Sequence, residues 1–337
     1  MGTPAERWQD RPHSDGASTR RHHSNDLFAP EGPPNMRRMS LIAVTGVVAI
    51  GLTLSACGSD SMDTTSPGAG NTAAGTSAAG GGVDAALAAK VPAEMKAAGV
   101  IKVGIDPTYA PNEMLAADGK TVEGFDVDIF NAVAAKLGLK TEYQPATFGT
   151  IILGVTGGKY DIGVSSFTIN DERKKQVNMV SYYSAGTQWV VAKGNPEKVN
   201  MDDVCGKSVG AQKDTVQAED LAARSKKCTD AGKGGITQVI QVKQDQVTAD
   251  VVSGKTVAML ADSPVGLYAV KQTGQLEALG DIYDSAPYGY VIPKDQTDFA
   301  NLIVEALKAT KADGSYDAAL KKYSVEAGGI SDFALNP

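Results

Sequence analysis

The sequence is poor in histidine, and the few histidines that it has lie close to its start. His13, His22 and His23 are the only three in 337 residues. The rest of the chain therefore has no partner for Ser-His or Cys-His nucleophilic catalysis, and no histidine to ligate a metal. We expect no catalytic residue, no metal site and no cofactor in the folded part of the chain.

The chain also lacks an apolar run long enough to cross a membrane. Its longest run, residues 41–54, falls short of the roughly 20 residues that a transmembrane helix needs. The run follows Arg37 and Arg38 and precedes small residues, which is the order of parts in a secretory signal. We therefore interpret residues 1–56 as a disordered leader followed by a signal peptide that is removed.

The tetrapeptide Leu-Ser-Ala-Cys that ends at Cys57 resembles the lipobox of bacterial lipoproteins. The resemblance implies lipidation of Cys57 and attachment to the outer side of the cell membrane, and ordinary cleavage that leaves a free thiol is the alternative. Residues 58–82 are mostly Gly, Ser, Thr and Ala, a composition that cannot bury enough apolar surface to fold. We assign residues 57–90 to the lipidated cysteine and a tether.

Basic residues are outnumbered and scattered. Without residues 1–56 the chain keeps 26 basic and 34 acidic residues, and the net charge changes from −7 to −8. An acidic chain without basic blocks is not typical of proteins that bind nucleic acid. Arg173 and Arg224 are the only arginines among those cations. Arg173 is therefore a marked choice, because the planar fork of donors of arginine holds a carboxylate through two hydrogen bonds.

Two cysteines, Cys205 and Cys228, remain after Cys57. In an exported protein an even pair of cysteines predicts a disulfide. The bond would close a loop of about 23 residues and contribute roughly 3 kcal/mol on the chain-entropy model. Two buried free thiols are the alternative.

After the tether, helical and strand patterns alternate along the chain. A helix is predicted at residues 91–98, a strand at 100–106 and an amphipathic helix at 123–139. Such alternation indicates α/β units around a mainly parallel sheet. A second set of units follows residue 186, which predicts two lobes joined by two crossing segments that act as a hinge. The predicted lobes are residues 91–187 with 288–337, and residues 188–287.

The stretch "SSFTINDER", residues 165–173, ends a predicted strand and begins a predicted helix with Asn170 as its N-cap. Ligands bind at strand ends in α/β sheets, because loops and helix N-termini present free N–H groups there. Ser166 and Thr168 offer oxygens and Arg173 offers a fork of donors. Together they are expected to accept a carboxylate and an amine side by side, and a solvated Arg173 is the alternative.

Five segments occur in an order that resembles a known family. They are "DPTYAPNE" (106–113), "GFDVDIFNAVAAKLG" (124–138), "SSFTINDER" (165–173), "LADSPV" (260–265) and "KADGSYDAALKKYS" (311–324). The chain resembles the polar amino-acid solute-binding proteins of ABC importers, bacterial extracellular solute-binding protein family 3, over nearly all of residues 91–324. That family includes histidine- and lysine/arginine/ornithine-binding proteins. The resemblance implies the two-lobed periplasmic-binding-protein fold of type II.

The resemblance also implies roles for residues that would hold the backbone groups of an amino acid. Arg173 would clamp the α-carboxylate, with help from Thr168 and from Thr215 at the start of a second-lobe helix. Asp262 would neutralise the α-ammonium group, and Ser166 would offer an oxygen to it. A helix cap at the end of a strand is the alternative for Asp262.

Three further residues would surround the ligand side chain, as the resemblance implies. Tyr109 and Phe148 would enclose it, and cation–π attraction would favour a basic side chain. Asp106 matches the position whose carboxylate meets the distal cation in the binders of basic amino acids. The alternatives are core aromatic residues for the first two and a turn starter before proline for Asp106.

Three positions depart from the family pattern. Asp214 stands where a glycine usually precedes the second-lobe threonine, and it tolerates a left-handed backbone but places a charge near the carboxylate pocket. Asn112 replaces the usual aromatic residue, and Gly149 replaces the usual acid. These departures bear on which ligand side chain fits.

The expected function is that of a lipid-anchored, monomeric extracytoplasmic receptor that closes on a polar amino acid and delivers it to an ABC permease and its ATPase. A basic amino acid is favoured over glutamine or glutamate. One alternative is an exported dehydratase-like enzyme on the same fold, which would need a placed general acid or base. The other is a ligand-sensing lipoprotein with no role in transport.

Overall fold

A computed structural model describes residues 82–337 of the chain. The predictions for the leader, the signal peptide, Cys57 and most of the tether lie outside these residues. Between residues 82 and 337, none of the helices combines the length and the apolar character that crossing a bilayer requires.

The described residues form eleven strands, ten α-helices and one short 3₁₀ turn. The strands are β1 (Val100–Ile105), β2 (Thr108–Tyr109), β3 (Glu113–Leu115), β4 (Val122–Glu123), β5 (Lys140–Pro145), β6 (Ile162–Thr168), β7 (Val177–Ala192), β8 (Ser208–Gln212), β9 (Thr237–Gln241), β10 (Ala258–Asp262) and β11 (Leu276–Pro293). The helices are α1 (Ala85–Lys90), α2 (Ala93–Ala98), α3 (Phe125–Lys136), α4 (Phe148–Thr156), α5 (Asp171–Gln176), α6 (Val216–Asp230), α7 (Gln244–Val252), α8 (Ser263–Thr273), α9 (Thr297–Ala312) and α10 (Ser315–Tyr323).

Eight strands are hydrogen-bonded in the order β5-β1-β6-β11-β7-β10-β8-β9. The pairs β5-β1, β1-β6, β10-β8 and β8-β9 are parallel, whereas the long strands β7 and β11 are antiparallel to their neighbours. Helices between the parallel strands cover the sheet, as right-handed crossover connections require. The mixed α/β architecture with mainly parallel sheets agrees with the prediction.

The two long strands connect two lobes. Strand β6 pairs with β11 only between Tyr288 and Val291, and β10 pairs with β7 only between Thr187 and Val191. We call the part built on β5, β1 and β6 the first lobe, and the part built on β10, β8 and β9 the second lobe. The register between β11 and β7 shifts between Leu279 and Ala286, where the strands pass from one lobe to the other. The residue boundaries of the lobes stay a prediction.

Each lobe has its own buried core. In the first lobe, Ile101, Phe130 and Ile303 belong to a large cluster that joins α3, α9 and α10 to the sheet. In the second lobe, Trp189 and Leu221 belong to a separate cluster between α6 and the sheet. Separate cores allow each lobe to hold its shape independently of the other.

Folded structure begins earlier than the sequence predicted. Helix α1 lies within the residues assigned to the tether, and the Asp84 carboxylate accepts hydrogen bonds from the Ala86 and Leu87 N–H groups at its start. The Leu87 side chain is buried in the first-lobe core. An alanine-rich turn has the composition of a linker, so the single buried leucine was the only sign of a helix.

The predicted disulfide between Cys205 and Cys228 is present. Cys228 lies in the last turn of α6, and Cys205 lies in the loop before β8. The bond therefore joins that loop to the C-terminal turn of α6.

Candidate functional site

A cavity lies between the lobes, at the ends of β1, β6, β8 and β10. Its volume is about 10 Å³, which is the space of about one water molecule, and its lining contains all eight predicted ligand-binding residues together with four others. The lining residues are Asp106, Tyr109, Phe148, Ser165, Ser166, Thr168, Arg173, Gln212, Thr215, Val216, Gln217 and Asp262. Strand ends meet here because parallel strands present their carboxyl ends at one edge of a sheet.

Arg173 occupies the first turn of α5, where Asn170 is the N-cap and its side-chain oxygen accepts the Arg173 N–H at 2.9 Å. The side chain is 8% exposed, so it is not the solvated first-turn residue of the alternative interpretation. Its guanidinium donates from Nη1 to the Thr168 carbonyl at 2.7 Å and from Nη2 to the Asp214 carbonyl at 3.1 Å. The second of these bonds connects the first lobe to the second.

The guanidinium of Arg173 also stacks near two aromatic rings. Its Cζ atom lies 5.3 Å from the centre of the Phe148 ring and 5.6 Å from that of Phe167. Burial lowers the pKa of Arg173, and the charges of Glu219 and Asp262 oppose that change. Aromatic faces and nearby carboxylates thus keep a buried cation charged, and hydrogen bonds to two carbonyl groups fix its orientation.

Asp262 ends β10 and is 5% exposed. It stands at the N-cap position of α8, but its side chain makes no capping hydrogen bond. Instead its carboxylate accepts from Tyr109 Oη at 2.8 Å and from Gln217 Nε2 at 2.8 Å. Burial raises the pKa of Asp262, and the hydrogen bond from Tyr109 opposes the rise. The carboxylate therefore faces the cavity rather than the helix.

Asp106 is 3% exposed and follows β1. Its Oδ1 accepts from Thr108 Oγ1 at 2.8 Å, and its Oδ2 accepts from the Phe148 N–H and from Gln212 Nε2, each at 3.0 Å. Burial raises the pKa of Asp106, and these hydrogen bonds oppose the rise. The residue begins a turn, as the alternative interpretation holds, and it also presents a carboxylate to the cavity.

The two aromatic residues of the prediction are both part of packed clusters. Tyr109 packs against Ala261 and Val265 of the second lobe and is 6% exposed. Phe148 stacks on Phe167 with ring centres 4.7 Å apart. Both rings also line the cavity, so the two interpretations, core residue and pocket wall, apply together.

Ser166 has a left-handed backbone, with φ of 50°, at the edge of the cavity. Its N–H and hydroxyl groups donate hydrogen bonds to Asp126 Oδ2, at 3.0 and 2.9 Å. Its Oγ accepts a hydrogen bond from Asn112 Nδ2 at 2.7 Å. Asn112, which replaces an aromatic residue of the family pattern, is fully buried behind the site. Its role is to hold Ser166 rather than to contact the cavity.

Thr215 is the N-cap of α6, and its Oγ1 accepts the Ala218 N–H at 3.2 Å while donating to the Gln212 carbonyl at 2.7 Å. The first residues of α6, Val216 and Gln217, line the cavity. A helix N-terminus directed at a cavity favours an anionic group there. Asp214 adopts φ of 63°, so the backbone geometry expected of a glycine is kept.

Four lining residues were missed in the sequence. Gln212 ends β8 and Gln217 lies in the first turn of α6, and both place an amide against a cavity carboxylate. Gln217 Nε2 also lies 3.1 Å from Thr187 Oγ1. Their positions at a strand end and a helix start were readable signals. No feature of the sequence singled out Ser165 or Val216. They lie next to the predicted site residues Ser166 and Thr215.

A buried acidic pair lies behind the first-lobe wall of the cavity. Glu113 and Asp126 are both fully buried; Glu113 accepts from Ser165 Oγ at 2.8 Å and Asp126 from Tyr182 Oη at 2.6 Å. Burial and the charge of Asp126 hold the pKa of Glu113 well above its usual value. Burial raises the pKa of Asp126 to about 6. Within residues 82–337, no group of three or more acidic, histidine or cysteine side chains is arranged to hold a metal ion.

Comparison with known proteins confirms the resemblance. The model of the bacterial extracellular solute-binding proteins, family 3, matches residues 101–326. The arginine-binding protein of Corynebacterium glutamicum is 30% identical over 252 residues, which are 74% of this chain and 82% of that protein.

Solved structures give the same result. An ancestral arginine-binding protein bound to arginine is 32% identical, with a TM-score of 0.62 over 67% of this chain and 98% of its own. An ancestral amino acid-binding protein, a precursor of cyclohexadienyl dehydratase, is 30% identical, with a TM-score of 0.62 over 68% of this chain and 97% of its own.

Proposed function

Because the chain belongs to the bacterial extracellular solute-binding proteins, family 3, we propose that it is a receptor for a basic amino acid, with arginine as the first candidate. The relatives are amino-acid-binding proteins that work outside the cytoplasm, and the chain shares their two-lobed fold. The proposal adds the ligand class, the residues that bind it, the membrane anchor and delivery to a permease.

The observation that carries the proposal is the pair Arg173 and Asp262 in one cavity. A zwitterion enters a buried site only if both of its charges are paired, because an unpaired buried charge costs several kcal/mol. Arg173 comes from the first lobe and Asp262 from the second, and both line the same space. A fork of donors for the carboxylate and a carboxylate for the ammonium group match the backbone groups of a free amino acid.

The remaining lining residues complete the assignment of roles. Thr168, Thr215 and the N-terminus of α6 assist Arg173 at the carboxylate, and Ser166 assists Asp262 at the ammonium group. Asp106 lines the same cavity and accepts the Phe148 N–H, while the Tyr109 ring lies beside Asp262 and the Phe148 ring beside Arg173. A buried carboxylate next to aromatic faces favours a cationic side chain.

Ligand capture proceeds by closure of the two lobes, with β7 and β11 as the hinge. We place the first lobe at residues 85–187 and 288–337, which adds α1 to the predicted range, and the second at 188–287. The register shifts between Leu279 and Ala286 support a hinge there, because they interrupt the regular ladder between the two strands. Closure requires no covalent step, and the curated relative named above is a binding protein.

We further propose that Cys57 carries the lipid anchor, that residues 58–82 tether the receptor, and that a monomer hands the ligand to an ABC permease. The lipobox supports the anchor, and the family supports the delivery. Replacing Cys57 by alanine is expected to release the protein from the membrane fraction into the medium. A Cys57→Ala protein that stays membrane-bound contradicts the anchor.

The proposed ligand is tested by calorimetric titration of the full-length protein with each of the twenty amino acids, after any co-purified ligand has been removed. We expect arginine to bind with a dissociation constant of about 1 μM or lower, which corresponds to about −8 kcal/mol. Tight binding of glutamine or glutamate instead would keep the receptor and remove the role of Asp106. A folded, emptied protein that binds no amino acid would contradict the proposed function.

A further inference from the structure

Asp214 reaches from the second lobe to the first turn of α4 in the first lobe. It belongs to the loop between β8 and α6 in the second lobe, whereas Gly149 is the second residue of α4 in the first lobe. A Cβ atom at position 149 would overlap Asp214 Oδ2 and would lie 2.8 Å from its Cγ. The Asp214 carboxylate therefore occupies the volume that the side chain of any residue other than glycine needs.

The backbone fixes Asp214 in this position. Its φ of 63° is held by the neighbouring Thr215, which caps α6. Its carbonyl accepts a hydrogen bond from Arg173 Nη2 at 3.1 Å. These constraints act on the main chain, whereas the Asp214 side chain itself is exposed and lies against Gly149 of α4.

Helix α4 gains a charge of the right sign from this contact. Its first turn contains no acidic residue, and its N-cap Thr147 makes no side-chain capping hydrogen bond. A carboxylate near a helix N-terminus interacts favourably with the partial positive charge there. Asp106 of the first lobe already accepts the Phe148 N–H at 3.0 Å, so Asp214 adds a second carboxylate, from the second lobe, beside this helix N-terminus.

We propose that Gly149 and Asp214 form a closure contact that positions the two lobes over a bound ligand. The inference rests on the proposed function, since its effect is the retention of an amino acid. The two residues are complementary: glycine at 149 makes room for the acid at 214, and the acid in turn serves the helix that begins at 148. The lobes must break this contact when they open to release the ligand. The contact therefore lowers the dissociation rate more than it raises the association rate.

The test is a double-mutant cycle in the full-length protein with L-arginine as the probe. Gly149→Ala places a methyl group in the volume of the Asp214 carboxylate, and we expect dissociation to become about tenfold faster in stopped-flow measurements, within the usual range for residues in contact. Asp214→Gly removes the carboxylate and keeps a left-handed backbone, so a roughly two- to fivefold faster dissociation is expected, about the size of a helix-dipole effect.

The decisive comparison is Gly149→Ala in the Asp214→Gly background. There the added methyl group meets no carboxylate, and we expect it to change the dissociation rate by less than about twofold. Asp214→Asn is the matched control, because it keeps the shape of the side chain and removes the charge. In the Asp214→Asn background, Gly149→Ala is expected to speed dissociation about tenfold, as in the wild type. An equal effect of Gly149→Ala in all three backgrounds would overturn the proposal.

A second measurement separates this inference from the proposed function. If the wild-type protein binds no amino acid, the proposed function fails, and the same cycle is then read from thermal unfolding without ligand. Gly149→Ala is expected to lower the unfolding midpoint in the wild-type background and not in the Asp214→Gly background. Additive midpoint shifts would show that the two residues do not interact, and would overturn the closure contact.

Discussion

The two walls of the cavity are held in place by different chemistry. The first-lobe wall rests on ionisable groups: Ser166 is bonded to Asp126, which is buried beside Glu113. The second-lobe wall rests on neutral amides, because Gln217 holds Asp262 and Gln212 reaches across to the first lobe. The support of Ser166 therefore depends on the protonation of buried acids, whereas Asp262 is held by neutral donors, Tyr109 and Gln217.

The largest effect is expected from the disulfide, which belongs to the second lobe alone. Replacing Cys205 and Cys228 by serine should lower the free energy of unfolding by about 3 kcal/mol, because the unfolded chain regains the freedom of the loop that the bond closed. Chemical denaturation with two probes should show the second lobe unfolding first. A single unchanged transition would contradict independent support of the two lobes.

Arg173→Lys tests the charged contact at the first wall. Lysine keeps the charge and loses the fork, so the dissociation constant for L-arginine should rise about 100-fold, or about 2.7 kcal/mol. Arg224 offers a matched control, because it pairs with Asp220 on α6 and does not line the cavity. Arg224→Lys should leave binding within about twofold. Unchanged affinity in Arg173→Lys would remove the clamp assignment.

The buried acids behind the first-lobe wall predict that the free energy of unfolding depends on pH. The pKa of Asp126 is raised from 3.8 to about 6, so the folded protein keeps a proton that the unfolded chain releases near pH 4. Since the folded state binds more protons in this window, the free energy of unfolding should fall as pH rises from about 4 to about 6, and the share of Asp126 is at most about 1.4 kcal/mol per pH unit.

Asp126→Asn removes this titrating group and should flatten the pH profile of the free energy of unfolding. The amide nitrogen can donate to Glu113, which stays protonated in this range because its pKa is well above the usual value. Denaturation series at several pH values provide the measurement. A profile with the same slope in Asp126→Asn and the wild type would show that other groups dominate.

Asp106→Asn should have the smallest effect and the most selective one. The isostere keeps a hydrogen-bonding side chain and loses the charge, so affinity for L-arginine should fall about tenfold, or about 1.4 kcal/mol. Affinity for an uncharged amino acid such as glutamine should stay the same or improve. Equal losses for both ligands would mean that Asp106 acts only as a support for α4, through its bond to the Phe148 N–H.

Local patterns in the sequence predicted most of the fold and, in the site, Ser166, Thr168 and Arg173, whereas the other five site residues came from the family resemblance. Arg173 was found because a strand end, an N-cap and a rare arginine coincide within one short segment, residues 165–173, and all of that information is local. The continuity of β7 and β11 across both lobes was not found. Their middles contain glycine and polar residues, as at Gly186 and Asp281, which look like strand ends until the partner strand is known.

Contacts between distant residues account for what the sequence did not show. Asp214 and Gly149 each departed from the family pattern, and nothing local indicated that the two departures share one volume. The acid pair behind Ser166 was equally hidden, because Glu113 and Asp126 sit in different segments and meet only in the folded lobe. Packing between segments decides such pairs, and a single sequence carries no direct record of it.

The central claim is that Arg173 and Asp262 together recognise the carboxylate and ammonium groups of one amino acid. Calorimetric titration with L-arginine and with agmatine, which lacks only the carboxylate, tests it most directly. The account predicts that L-arginine binds with a dissociation constant of about 1 μM or lower and that agmatine binds at least about 100-fold more weakly. Agmatine bound as tightly as L-arginine would contradict it.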